Sequence, residues 1–353
     1  MVKGHMLLQK EGVRFVVTIV SNSLEVETCE EHHEEARMLI QDIKNFLNEH
    51  NFYRGKRISL GLEITFLSKV GQRDWNSIIL DAELKNSIRE NTVGFLRNLP
   101  EIREKGIPLK RGVILAGDPG TGKTIICKAL MAEAEGITCI TTNAYSMVQG
   151  GYISDIYALA QDLSPSIIFI EDIDAVAQER HYSYRGTPPL LALLAEMDGI
   201  TERTAVVTVA TSNCLEALDR ALRERPQRFD LICKLPKPNR EQRAELIRNI
   251  SKKIPVPEDT LEYLVDKTGG CTPAQVQGVL HSMAISQVVK KTGVTRFTRC
   301  DVDLALGQVT FNKLGPIGFN AIRSHYTANS IDQNRRREGP SSEGGNEGEI
   351  KFH

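Results

Sequence analysis

The sequence lacks a charge excess, a cysteine pattern and any long apolar run, and each lack removes a class of function. Its 44 lysines and arginines are matched by 45 aspartates and glutamates, so nothing global draws it to nucleic acid or to an anionic membrane surface. No basic stripe with interleaved aromatics is present to track and stack a nucleic-acid strand. The seven cysteines (Cys29, Cys127, Cys139, Cys214, Cys233, Cys271 and Cys300) form neither a C-x-x-C pair nor a metal-ligand spacing. An odd, unpatterned set reads as reduced thiols in a cytosolic compartment. No apolar run approaches the ~20 residues that cross a bilayer. The N-terminus shows no basic patch followed by an apolar core, so no signal peptide is expected. These lacks lead to the expectation of a soluble, cytoplasmic protein with no nucleic-acid partner and no membrane insertion.

What is present is sharper. Residues 117–124 read Gly117-Asp118-Pro119-Gly120-Thr121-Gly122-Lys123-Thr124, a complete phosphate-binding loop of the G-x-x-x-x-G-K-[ST] form. The apolar run Gly112-Val113-Ile114-Leu115-Ala116 precedes it and Ile125-Ile126-Cys127-Lys128-Ala129-Leu130 follows, giving the strand, loop and helix that the motif needs. Glycines let backbone N–H groups turn inward around phosphate oxygens, and the helix N-terminus adds partial positive charge. Lys123 can reach the β- and γ-phosphates, and the Thr124 hydroxyl can ligate Mg²⁺. A plain glycine-rich turn before a helix would not require Lys-Thr at its end. The motif predicts binding of a nucleoside triphosphate.

At 353 residues the chain has room for two or three cores. Residues 12–20 and 58–67 are β-rich and partly alternating, and between them Ala36, Leu39, Ile40, Ile43, Phe46 and Leu47 recur at helical spacing. Together they predict a small α+β module over 1–70. Its adjacent His32 and His33 diverge on a helix and read as a solvated helix start, not a metal site. Over 71–236, a mostly helical approach at 75–110 leads into strands at 112–116, 137–141, 166–170 and 204–210 with helices between. Such alternation predicts a parallel sheet wrapped by helices. After Pro236 the pattern turns helical at 239–252, 258–267, 273–291 and 301–307, a separate helical subdomain over 237–326. From 327 the chain is polar and rich in Gly, Ser and Glu, with an Arg335-Arg336-Arg337 run, and reads as a disordered tail.

A second nucleotide signature sits at Ile167-Ile168-Phe169-Ile170-Glu171-Asp172-Ile173-Asp174. An apolar strand ending in two acids is how a protein with such a loop holds water-coordinated Mg²⁺ and orients the attacking water. A third strand, Ala205-Val206-Val207-Thr208-Val209-Ala210, ends in Thr211-Ser212-Asn213. An amide there can hold the lytic water beside the γ-phosphate; taken alone, it would be a turn residue.

At this point the chain resembles the AAA family of ATPases, over residues from about 75 to 290. Gly106-Ile107-Pro108 with Arg111-Gly112-Val113 resembles the family's segment before the loop, and Ser164-Pro165-Ser166 through Ala175 its Walker B segment. Leu193-Leu194-Ala195-Glu196-Met197-Asp198-Gly199 matches a helix end typical of the family. Ala217-Leu218-Asp219 and Arg225-Pro226-Gln227-Arg228-Phe229-Asp230 resemble its second region of homology. The resemblance implies an α/β P-loop NTPase fold, a parallel sheet flanked by helices with a C-terminal helical lid, beside the small N-terminal α+β module. It implies ATP and Mg²⁺, with Asp118, Pro119, Gly120, Thr121, Gly122, Lys123 and Thr124 on the nucleotide and Thr124 and Glu171 on the metal. Asn213 would be sensor 1, and Arg225 and Arg228 would be arginine fingers on the nucleotide of a neighbouring subunit, worth ~10³–10⁵ in rate in well-studied phosphoryl-transfer systems. The competing reading of those arginines is an ion pair with Glu224 or Asp230. Fingers in trans demand a homo-oligomer, and the family usually forms hexameric rings acting on protein substrates.

Three features depart from the family pattern. Its usual Asp-Glu order is reversed to Glu171-Asp172, so by position Glu171 serves Mg²⁺ and Asp172 polarises water with a side chain one methylene shorter. Asp174 is an alternative base that reads better as the cap of a helix starting near Ala175. The lid carries Gly269-Gly270-Cys271-Thr272-Pro273-Ala274-Gln275, with a capped helix start where a sensor-2 arginine would stand. Thr-Pro-Ala here and Glu-Asp above are similar to the branch of the family containing the mitochondrial chaperone that assembles respiratory complex III, a likeness of module and not of task. Finally, the central-pore stretch Tyr145-Ser146-Met147-Val148-Gln149-Gly150-Gly151-Tyr152 lacks the family's aromatic-aliphatic-Gly triplet. Met147 and Val148, or Tyr145 or Tyr152, are the candidates to grip a polypeptide, and Met147 equally reads as core.

These observations predict an ATP-dependent remodelling motor, with an ATP-gated scaffold that hydrolyses slowly or not at all as the alternative. General-base geometry is strict, with contacts of ~2.6–3.2 Å or one bridging water. Asp172→Glu is therefore expected to raise ATP turnover, measured as phosphate release at saturating ATP; a large loss would remove the methylene argument.

Overall fold

The computed structural model describes residues 4–20, 23–61, 64–67, 75–149, 152–178, 189–200, 204–215, 229–252, 254, 256–290 and 296–308. Three stretches are buried at nearly every position and lie at the middle of one sheet: β6 (Lys110–Ala116), β8 (Ser166–Glu171) and β9 (Val206–Ser212). A strand buried on both faces is covered on both sides, which is the condition of a parallel sheet between helical layers. With β4 (Arg57–Leu60), β5 (Ile64–Phe66), β7 (Thr138–Asn143) and β10 (Leu231–Lys234) the sheet runs β10-β6-β9-β8-β7-β4-β5. All its pairings are parallel except β4 with β5.

Side-chain alternation splits the core in two. Ile168 and Ile170 of β8 join Ile114 and Ile140 under helices carrying Ile153, Tyr157, Leu193 and Met197. Ile167 and Phe169 point the other way, with Val113, Leu115, Val207 and Val209, onto a helix carrying Ile126 and Leu130 and an approach segment carrying Ile88 and Phe95. That approach begins as a helix over Ala82–Arg89, its N-terminus capped by Asp81 through the N–H groups of Glu83 and Leu84. It then widens into a π-turn at Glu90–Gly94.

A separate antiparallel sheet precedes this body, in the order β1 (Gly4–Lys10), β2 (Val13–Val20), β3 (Ser23–Glu27). Helix α1 (His33–Glu49) packs on it through Ala36 and Leu39 against Phe15 and Val17. Within the stretch 58–67 expected in this small module, Ile58–Leu60 and Ile64–Phe66 belong instead to the large sheet, in β4 and β5. The reason is in the anchors: Ile58 pairs with Ile140 and is fully buried, and the Gly55 N–H donates to Thr138 Oγ1 at 3.0 Å. The Arg54 guanidinium donates to the carbonyls of Ser164 and Asp162, and the Arg57 guanidinium to those of Met131 and Ala132. His32 and His33 stand at the start of α1, where His32 meets Glu35.

Downstream of β10 the expected helical subdomain contains helices at Arg240–Ser251, Glu258–Lys267, Pro273–Lys290 and Arg299–Gln308. Asn239 and Gln242 form a reciprocal capping box at its first helix. The tail from 327, with its arginine run, lies outside the described residues. Among the described residues no helix is long and apolar enough to cross a membrane.

Because Ile58 is packed in the large core, Ile58→Ala should cost ~2–5 kcal/mol and lower the thermal midpoint of the nucleotide-binding body itself. Calorimetry of the full chain checks this; an unchanged main transition would detach β4 from that body.

Candidate nucleotide site

The carboxyl ends of β6, β8 and β9 converge, and each delivers one part of the site. After β6 the chain turns through the phosphate loop into α2 (Lys123–Glu133). A Cβ on Gly117 would sit 2.7 Å from the Leu235 carbonyl oxygen, and one on Gly120 would sit 2.8 Å from the Ala274 Cβ and 2.9 Å from Thr272 Oγ1. Gly120 and Gly122 also hold φ of +84° and +107°, conformations that favour glycine. Helix α2 therefore begins at Gly122 with no side-chain cap, and its first-turn N–H groups are the natural partners of phosphate oxygens. Thr121 braces the loop from within, donating to the Asp118 carbonyl through both N–H (3.2 Å) and Oγ1 (2.9 Å).

Lys123 is only 7% exposed. Its Nζ donates to the loop's own Gly117 and Asp118 carbonyls at 2.6 and 3.0 Å. Burial lowers its pKa, while Asp172, Asp174 and Asp118 pull the other way. The Asp118 carboxylate itself pairs with Lys237 at 3.0 Å across the surface.

After β8 the two acids diverge. Asp172 adopts φ +54°, and its N–H donates to Thr211 Oγ1 at 3.0 Å. Its Oδ1 accepts from Asn213 Nδ2 at 3.0 Å, so the expected base and the expected sensor meet. Glu171 lies toward α2, where burial and Asp172 raise its pKa and Lys128 opposes them. Asp174 does not cap a helix at Ala175: the helix spans Ile173–Gln178, and the buried Asp174 Oδ1 accepts the Asn213 backbone N–H at 2.9 Å. That carboxylate fixes where Asn213 stands.

These parts line one cavity of about 770 Å³, with Pro119–Ile125, Asp172, Thr211 and Asn213 on one side. Ser77–Ile79 form a second wall, and the helical subdomain closes it with Gln242, Leu246, Asn249, Pro273, Gln277 and His281 among others. Sequence reasoning missed both walls. Only the helical spacing of Gln277 with His281, and of Gln242 with Leu246 and Asn249, hinted at a shared face. At the capped start of the third lid helix, Gln275 Oε1 accepts the Thr272 N–H, and the Ala274 N–H donates to the Gly120 carbonyl at 3.2 Å.

The remaining candidates separate. Met147 is 2% exposed and is core, while Tyr145 and Tyr152 are at the surface. Gly150 and Gly151 lie outside the described residues, as do Arg225, Arg228, Glu224 and the segment Ala217–Asp219; nothing is described of the Val148 side chain. Asp230, two residues past Arg228, is tied to β6: its Oδ2 accepts the Gly112 N–H at 2.9 Å, and its N–H donates to the Gly112 carbonyl.

A parallel sheet with a glycine-built anion loop, acids at the next strand end and a helical lid over the cavity defines a P-loop nucleoside triphosphatase module. Residues 113–237 match the model of the ATPase family associated with various cellular activities (AAA), so the chain carries an ATPase domain of that family. Over 239 residues it is 34% identical to the ATP-dependent zinc metalloprotease FtsH 3 of Sphaerobacter thermophilus, covering 64% of this chain and 47% of that protein. It is 31% identical over 267 residues to the proteasome-activating nucleotidase of Methanocaldococcus jannaschii, covering 67% and 62%. The chain thus spans about half to three-fifths of the length of these relatives.

At a hundredfold excess of ATP over its Kd, the folded state should gain ~2.7 kcal/mol, and Lys123→Ala should forfeit most of it. Thermal unfolding with and without MgATP reads this, and equal shifts in both proteins would remove Lys123 from phosphate binding.

Proposed function

We propose that this chain is an ATP-dependent remodeller of protein substrates that works as a homo-oligomer, in a ring that the family's habit makes a hexamer. The observation that carries the reading is the convergence of Lys123, Asp172 and Asn213 on one cavity beneath the lid. In this reading the loop amides and Lys123 hold the β- and γ-phosphates. Thr124, on the first turn of α2, and Glu171, at the end of β8, are an oxygen-donor set that fits Mg²⁺. The ion would neutralise charge on the bridging and terminal phosphate oxygens. Asp172 accepts the proton of a water that attacks the γ-phosphorus in line, and ADP leaves. Asn213, set by Asp174, orients that water.

Arg225 and Arg228 complete a neighbour's site in this reading. The engagement of Asp230 with Gly112 supports it, because that carboxylate already has a partner on its own β6. Tyr145 and Tyr152 remain the surface candidates for gripping a substrate chain, and the module on β1–β3 and α1 helps recruit it. The seven free thiols support the cytoplasmic setting.

One observation favours the scaffold alternative. The Asp172 oxygen accepts the Asn213 amide, on a side chain shorter than Glu, which favours tight ATP binding with slow turnover. ATP turnover per subunit across a wide range of protein concentration separates the two. A motor's turnover rises steeply with concentration, collapses in Asp172→Asn and Arg228→Ala, and accelerates with an unfolded protein. Bound ATP without turnover would select the scaffold.

A further inference from the structure

The last residue of α2 carries a network that phosphate binding does not use. The Glu133 side chain is 14% exposed and sits at a helix C-terminus, where the helix dipole disfavours an acid. Its carboxylate accepts the Trp75 indole Nε1–H at 2.7 Å and two N–H groups of Arg89 at 3.0 and 2.7 Å. Arg97 donates to the same carboxylate at 3.4 Å and to the Glu133 carbonyl at 2.7 Å. The Arg89 guanidinium lies 5.6 Å over the Trp75 ring. Both arginines are partly solvated (43% and 49% exposed), so their ion pairs alone are worth little. Burial opposes the Glu133 charge, yet the Arg89 and Trp75 hydrogen bonds keep its pKa below the ordinary value.

The network's effect lies in what Trp75 leads to. Its carbonyl accepts the Ile78 N–H at 3.1 Å and the Lys85 ammonium at 3.3 Å, closing a single turn over Trp75–Ser77. Directly after it, Ser77, Ile78 and Ile79 form the cavity wall. One helix is therefore tied to two parts of the site: its first turn continues the phosphate loop, and its last residue holds Trp75, which leads into the Ser77–Ile79 wall.

We propose that Glu133 is a positioning residue for nucleotide binding: by fixing the Trp75 indole it sets the Ser77–Ile79 wall at its distance from the phosphate loop. This rests on the reading of the cavity as the nucleotide site. Glu133 touches no nucleotide in this arrangement, so it governs affinity and leaves the hydrolytic groups alone.

Trp75 is the only tryptophan in the sequence, which makes the wall directly visible. In the full chain, Glu133→Gln removes the charge that holds Arg89 and Arg97, and Trp75→Phe keeps a ring but removes the indole N–H. Titration with N-methylanthraniloyl-ATP should show affinity roughly tenfold weaker in each, the scale of one charge-assisted hydrogen bond. Turnover at saturating ATP should stay within about twofold, the pattern of lost uniform binding. Before any nucleotide is added, Trp75 emission in Glu133→Gln should shift to the red and be quenched more readily by acrylamide. Wild-type affinity in both variants, with only a lower melting temperature, would overturn the inference and leave a stability clamp. Failure of the wild type itself to bind the probe would overturn the nucleotide reading, and this inference with it.

Discussion

Everything at this site depends on a loop backbone that, at two glycines, approaches its neighbours too closely for a side chain. Gly117 lies against the strand-end carbonyl of Leu235, and Gly120 against Thr272 and Ala274 of the lid. A Cβ at either position would collide with these neighbours, so the turn that leads into the first N–H groups of α2 needs glycine there. An anion held by amides in fixed positions costs little reorganisation when it binds. The buried Lys123 adds a full charge to the same surface.

The loop, the acids and the lid are linked by short hydrogen bonds and not by proximity alone. Thr211 holds the Asp172 amide, Asp172 holds the Asn213 side chain, and Asp174 holds the Asn213 backbone. Two acids two positions apart thus share one amide residue between them, one serving its side chain and one its main chain. The lid joins through the Ala274 N–H on the Gly120 carbonyl. A change in lid position therefore reaches the loop without an intermediary, and by linkage a ligand on the loop biases the lid equally.

What could be read in the sequence was what is encoded locally. The phosphate loop is eight consecutive residues, and the apolar strands before Gly117, Glu171 and Asn213 announce themselves by composition. The helices at 258–267 and 273–290 follow from the helical pattern, the second also from its capped start at Thr272. The sheet that β4 joins is not legible locally, because a short alternating run specifies a face and not a partner; Arg54, Gly55 and Arg57 anchor it beside β7 through groups some 70 to 110 residues away. Asp174 looked like a cap because a cap is the commonest local use of an aspartate before a helix, and its true partner, Asn213, comes from another strand. The wall at Ser77–Ile79 had no motif at all. Its place follows from the bond between Trp75 and Glu133, which lie 58 residues apart in the sequence.

The anchoring of β4 also defines a mechanical path. The three-stranded sheet and α1 lead directly into residues 51–60, and Arg54 and Arg57 grip the ends of two helices through four carbonyls: Asp162, Ser164, Met131 and Ala132. Tension entering from the N-terminal side thus meets a cluster of side-chain bonds loaded together, before the single row of strand pairs that could peel one at a time. Two of those carbonyls lie in the last turn of α2, whose opposite end is the phosphate loop. The small sheet is thus coupled, through Arg57, to the far end of the helix whose first turn continues the phosphate loop.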